Sequence, residues 1–309
     1  MSNAVYLESS ALGVTLHSQG ASLVQVLFKT RNVNLLLDTS QLPANLIKQF
    51  CIGGTVGPYA GRLRQADYAT GKSMFLLHGG DAALHRADWQ VTQMDKTRAV
   101  RYATTLNHGD GGLPGDREFG VSYTLADDRL IIDLTATTTH DTPISMTNHA
   151  YFTLGARWAS ELSLSINAQS VLVTDSALCP TGELQSVADT PLDFTCERKL
   201  AGVLGQWPQG LDHSYVLDST PQNALIPKPV ASLVNRLSGI CLTVATTQPC
   251  LQAYTASQLT APLKPFSAVC LEAQGFPNGP ACGLGGEQSM LAAGQQVTQR
   301  IVYQITEVL

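Results

Sequence analysis

Six short stretches place polar or titratable side chains where a strand pattern asks for apolar ones. GPYAGRLRQADY carries Arg62 and Arg64, LLHGG carries His78, and TNHAYF carries His149. GLDHSYVLD carries Asp212 and His213, LQAYT carries Gln252, and CLEAQGFP carries Glu272 and Gln274. Taken singly, each has an ordinary structural reading. His78 beside glycines is a loop residue, and His149 is a satisfied, half-buried histidine. Glu272 marks a strand's exit into solvent, Arg62 is a surface arginine, and Asp212 after Gly210 is a turn-former. Taken together, they fall in strands or at strand ends, where one sheet face can gather them.

A carboxylate and an imidazole facing one substrate suit paired acid–base work, because the two can hold opposite protonation states near neutral pH. Each such transfer contributes about 10²–10⁴-fold in rate. A fixed charge such as Arg62 favours oxygens that become negative during reaction. Other chemistries lack their signatures. No HExxH occurs and the histidines are not spaced as ligands on one element, so no metal site is expected. Neither GxGxxG nor GxxxxGK[ST] opens a strand–turn–helix unit, which argues against dinucleotide and P-loop sites. GxSxG is absent too.

The elements that must hold these residues are mostly strands. Phe119, Val121, Tyr123 and Leu125 alternate with small or polar residues, Ala126–Asp128 makes a turn, and Leu130, Ile132, Leu134 and Ala136 alternate again. This pattern predicts an antiparallel hairpin. The same period recurs in ELSLSINA, GICLTVAT and RIVYQIT, while Leu23–Phe28 and Val33–Asp38 are shorter, more apolar strand candidates. PANLIKQF reads as a short helix with Pro near its start. With 26 Gly and 15 Pro punctuating many short strands, the fold class is all-β, a large antiparallel β-sandwich with few short helices. No repeat or long linker divides the 309 residues, so a single domain over 1–309 is expected.

Composition narrows the partners. Charged residues make up only 14%, net charge is −5, and no basic run of five occurs, so nucleic acid is not an expected partner. The N-terminal MSNAVYLESSALG lacks the basic and apolar regions of a signal peptide, and no apolar run approaches 18 residues, so no membrane association is expected. Seven cysteines without a CxxC suit a reducing, cytoplasmic compartment better than a disulfide framework.

Read in order, the motifs resemble those of the aldose 1-epimerase (galactose mutarotase) family. Its GxxxGRxANRI element is similar to GGTVGPYAGRLRQADY, its HLHGG to LLHGG, and its PG(D/N) before a YxL strand to GLPGDREFGVSYTL. LTNHxYFNL corresponds to MTNHAYFTL, and PTGE with TPxDF to CPTGELQSVADTPLDF. G-Asp-His corresponds to GLDHSYVLD, LQxYT to LQAYT, and LExQxFPDAPN to LEAQGFPNGPA. The matches run from about residue 50 to residue 280. The resemblance implies a galactose mutarotase-like supersandwich that interconverts α and β anomers of a hexose. It implies Glu272 as the base that takes the C1 hydroxyl proton and His149 as the acid that protonates the ring oxygen. It implies Arg62, His78, Asp212 and Gln252 as sugar contacts, with Asn148, Tyr151 and Phe152 orienting the imidazole. No cofactor or metal is implied. The partner would be a small-molecule aldohexose, and the protein a monomer or homodimer.

The chain departs from the pattern at Gly61, where the family has Asn, and at Pro58, Thr153 and the FPNGPA segment. None of these touches the acid or base, and all leave sugar preference open. A hexose-6-phosphate 1-epimerase would add cations at the mouth, for which Arg64 and Arg86 are candidates. A non-catalytic sugar-binding sandwich would need no matched acid and base. A glycosidase or lyase on a similar sandwich could read Asp212 and Glu272 as its two carboxylates, which the PTGE and TNHAYF elements do not favour.

Overall fold

The computed structural model describes residues 4–67, 69–95, 97–218, 226–285 and 289–308. Two antiparallel sheets dominate. The larger has nine strands, in the order Arg198–Lys199, Ser163–Ile166, Lys228–Asn235, Ile240–Thr246, Gln296–Glu307, Arg129–Thr138, Arg117–Ala126, Ala99–Leu106 and Gln90–Asp95. The second has six, in the order Tyr151–Phe152, Val269–Gln274, Cys250–Tyr254, Asp212–Val216, Ser170–Thr174 and Pro180–Ser186.

The 119–136 hairpin forms in the register its alternation predicts. Phe119 pairs with Ala136, Val121 with Leu134, Tyr123 with Ile132 and Leu125 with Leu130, all buried. The chain reverses at Asp127, held at a left-handed φ of 51°, which Asp tolerates better than most residues. On the neighbouring Gln296–Glu307 strand, Ile301, Tyr303 and Ile305 continue the same buried face. That face packs on the back of the six-stranded sheet, where Phe152 meets Tyr303 edge-on at 5.0 Å between ring centroids. Stacking of two such faces is the sandwich arrangement, and it buries a core that runs from Leu7 to Ile305.

Helices are few and short among the described residues. The α-helices are Ala44–Gln49, Leu200–Gln206 and Gly279–Cys282, the first of them where PANLIKQF predicts a helix. None is long and apolar enough to cross a membrane. The expected Val33–Asp38 strand is shorter than its apolarity suggests. Pairing stops at Asn34, and the chain then runs to the six-stranded sheet, where Leu37 N–H donates to the Tyr151 carbonyl at 2.9 Å. All seven cysteines are unpaired.

Candidate active site

The front of the six-stranded sheet carries the candidate site. Side chains two apart on a strand share a face, and register fixes their neighbours. Glu272 pairs with Gln252, Gln252 with Ser214, and Asp212 with Tyr254. Glu272, Gln274, Gln252, Tyr254, Asp212 and Ser214 therefore look outward together. The alternate residues Leu251, Ala253, Leu271 and Ala273 enter the core. His213 is one residue out of phase, and its ring packs against Trp207 at 5.8 Å. The six outward residues help line a cleft of about 160 Å³ that also receives Arg62, His78 and His149. All six sequence-predicted site residues meet in this one space.

Glu272 and His149 form its floor. Nε2 of His149 lies 3.6 Å from Oε1 of Glu272, and the residues are 6% and 2% exposed respectively. Burial, reinforced by the charge of Asp212, pushes the Glu272 carboxyl well above the usual carboxylate range. Burial, reinforced by His85, pushes the His149 imidazole down to about 3. Both shifts have one origin, the cost of a charge in a low-dielectric setting.

Backbone bonds hold His149 in place. Its N–H donates to the Gly54 carbonyl, and its carbonyl accepts from Gly53 N–H, both at 2.9 Å. Tyr151 stacks flat on the imidazole, 5.0 Å between centroids at 16°, and its hydroxyl donates to the Phe50 carbonyl at 3.0 Å. The other two expected orienting residues act elsewhere. Asn148 donates to the Gly53 carbonyl and to the Tyr123 hydroxyl, so it fastens the backbone beside His149 and not the ring. Phe152 faces the core, as the two-residue period of its strand requires.

His78 closes one side, its ring 5.8 Å from that of His149. It follows the Ser73–Leu77 strand with φ at 55°, and Gly79 continues the turn at φ 90°. A Cβ on Gly79 would lie 2.4 Å from the Gly57 carbonyl oxygen, so only glycine fits there. Nδ1 of His78 accepts from Gly61 N–H at 3.2 Å, which leaves Nε2 as the protonated nitrogen. Burial, followed by the neighbouring His149, His85 and Arg62, holds its pKa well below the ordinary value.

Opposite, Gln252 is gripped at both ends. Its Nε2 donates to Asp212 Oδ1 at 2.6 Å, and its Oε1 accepts a short bond from Ser214 Oγ. Sequence reasoning missed Ser214, Tyr254 and Cys51. The first two were within reach through their two-residue spacing from Asp212 and Gln252. Nothing in the sequence around Cys51 points inward. Its Sγ lies 3.4 Å from His85 Nε2, and burial followed by the charge of Glu272 pushes the thiol up to about 12. Cys51 and Tyr151 also wall off a second, more apolar cavity of about 250 Å³, which contains neither Glu272 nor His149.

Of the two phosphate candidates, Arg64 is exposed and ion-paired with Asp175 at 3.0 Å, and Arg86 is exposed away from the cleft. No cluster of three or more His, Cys, Asp or Glu spaced for a metal ion occurs among the described residues.

Comparison with known proteins places the chain in a family. The Aldose 1-epimerase family model matches residues 4–304. The galactose mutarotase of Mus musculus is 29% identical over 296 residues, covering 88% of this chain and 85% of that protein. The aldose 1-epimerase of Escherichia coli (strain K12) is 30% identical over 253 residues, covering 74% and 72%. Among solved structures, the GalM/aldose epimerase homologue from C. elegans superposes with a TM-score of 0.87 at 27% identity, covering all of both chains. The galactose 1-epimerase of Lactobacillus acidophilus NCFM shares the fold, with a TM-score of 0.83 at 24% identity over 98% of this chain and 94% of that one. With its full-length family match and its sandwich fold, this chain belongs to the aldose 1-epimerase family.

Proposed function

We propose that the protein interconverts the α and β anomers of a neutral aldohexose, with Glu272 and His149 as its proton-transfer pair. The observation that carries this reading is the 3.6 Å separation of the two groups at the floor of a sugar-sized cleft. In the carboxylate–imidazolium form, Glu272 takes the proton of the C1 hydroxyl and His149 gives one to the ring oxygen. The C1–O5 bond breaks to an open-chain aldehyde, rotation about C1–C2 presents the other face, and the steps reverse. One proton leaves and one arrives, nothing is oxidised, and no group is transferred, so the balance requires no cofactor.

The protonated Nε2 of His78 and the guanidinium of Arg62 supply donors to sugar oxygens. Asp212 and Gln252, already locked to each other, offer a pre-set edge for hydroxyls, so little ordering is lost on binding. Arg62 is the one cation among the described cleft-lining residues, which favours a neutral sugar over a hexose 6-phosphate. Burial of two titratable groups against each other is costly, and a module that only binds sugar has no use for it.

The chain is proposed to act as one domain, as a monomer or homodimer in the cytoplasm. Its continuous core and unpaired cysteines support the first and last of these points.

Polarimetry on freshly dissolved α-D-sugars, with and without protein, tests the activity. Acceleration of the approach to the anomeric equilibrium is expected. A rate equal to the spontaneous one across the panel would overturn the reading. A strong preference for phosphorylated sugars would replace it with the hexose-6-phosphate activity.

A further inference from the structure

We infer that Gln274 is a sugar-binding residue that determines specificity, and that the glycine at position 61 is what exposes it to the substrate. The inference rests on the proposed mutarotase reading of the cleft.

Gln274 lies two residues beyond Glu272 on the same strand and lines the same cleft. It is 1% exposed, yet neither its Oε1 nor its Nε2 has a hydrogen-bond partner within the protein. The contrast is with Gln252 on the adjacent strand, whose amide is engaged at both ends. Most buried polar side-chain atoms are partnered, and an orphaned one is costly. A buried amide with both ends free, facing a cleft, is matched to a ligand and not to the fold.

Gly61 explains why the amide is free. A Cβ at this position would stand 3.4 Å from Gln274 Nε2 and 3.0 Å from Pro277 Cβ. Any longer side chain would cover the amide or pair with it. Gly61 also has φ at +76°, and its N–H holds Nδ1 of His78. One glycine thus orients His78 and leaves Gln274 bare.

The chemistry of the complement follows. A carboxamide offers one acceptor and one donor edge and carries no charge. Two neighbouring hydroxyls of a pyranose match it, one donating to Oε1 and the other accepting from Nε2–H. Residues two apart on a strand are separated by about 7 Å. Gln274 therefore reads hydroxyls remote from the carbon that Glu272 serves. Such a contact discriminates among sugars without entering the proton transfers.

The test uses the parent aldohexose and its monodeoxy analogues, each lacking one ring hydroxyl. Wild-type protein should show a KM at least about tenfold higher for the analogue missing a contacted hydroxyl, equivalent to about 1.4 kcal/mol. Gln274→Met keeps the side-chain length and removes both polar edges. It should raise KM for the parent sugar more than it lowers kcat and erase the deoxy discrimination. In the absence of sugar its melting midpoint should stay or rise, because two orphaned atoms are gone. Gly61→Asn leaves Gln274 in place but covers its Nε2, and it should weaken the same discrimination, so the test does not depend on one variant folding. Discrimination retained in both variants, or a lowered midpoint in Gln274→Met with unchanged KM, would overturn the inference. If wild-type protein accelerates no sugar's mutarotation, the activity itself is wrong. If it does and the variants discriminate as before, only the role of Gln274 is wrong.

Discussion

Nε2 of His149 stands 3.6 Å from Oε1 of Glu272, and the two side chains are almost sealed from water. The surroundings oppose charge on either, raising the carboxyl and lowering the imidazole. Neutral acid with neutral imidazole, and carboxylate with imidazolium, differ only in which group holds the shared proton. The pair can therefore change from one form to the other without taking up or releasing a proton.

Replacing the carboxyl tests the pair most directly. Glu272→Gln keeps size and shape, so the fold should be retained by circular dichroism, while kcat falls by about 10²–10⁴-fold. Mutarotation near the wild-type rate would remove Glu272 from the mechanism.

The imidazole should matter comparably. His149→Asn is expected to lower kcat by at least about 10²-fold. A loss under about threefold, measured at saturating sugar, would assign the proton to the ring oxygen from elsewhere.

Stability should depend on pH through the same two groups. The unfolded imidazole titrates near 6.5 and the folded one at about 3. Its contribution is complete above pH 6.5 and is lost as pH falls through the folded value. Glu272 has the opposite sign. Its raised pKa contributes stability below the ordinary 4.5, and that contribution is lost as pH rises through the folded value. Over pH 6.5 to 4 these two contributions offset each other, but His78 and His85 are also held neutral by burial, so three depressed histidines outnumber the one raised carboxyl and wild-type stability toward urea should fall as pH drops. His149→Asn should show a shallower slope, with His78 and His85 supplying what remains. An unchanged slope would mean that His149 is not buried neutral.

Asp212 acts on both binding and titration. Asp212→Asn removes the negative charge that raises the Glu272 pKa, and it disturbs the acceptor of Gln252 Nε2. KM should rise, and the acid limb of the pH profile of kcat/KM should move to lower pH. Movement to higher pH, or none, would show that the two carboxyls do not sense each other.

Residue patterns explain which features were legible. The 119–136 hairpin could be read because one of its faces is buried and the other is not, leaving a clean period of two. Leu35–Leu37 is apolar on every side, so it offers no period, and its departure from the strand depends on Tyr151 and Phe152 more than a hundred positions away. Glu272, Gln252 and Asp212 were visible because they interrupt apolar strands. Ser214 draws less notice, since its two-residue spacing from Asp212 gives only the face, and register is what sets it against Gln252. Asn148 was placed correctly but given the wrong partner. Its contacts, Gly53 and Tyr123, come from distant segments that local sequence does not bring together.

The thiol of Cys51 has a consequence for the enzyme's own survival. Mutarotation passes through an open-chain aldehyde, an electrophile formed in the cleft that Cys51 helps line. A thiolate would add to it, and a free amine would condense with it. Cys51 is held as the unreactive thiol by burial and by the charge of Glu272, and no lysine lines the cleft among the described residues. The site is in this sense inert toward its own intermediate, and the aldehyde has no productive course except to close again.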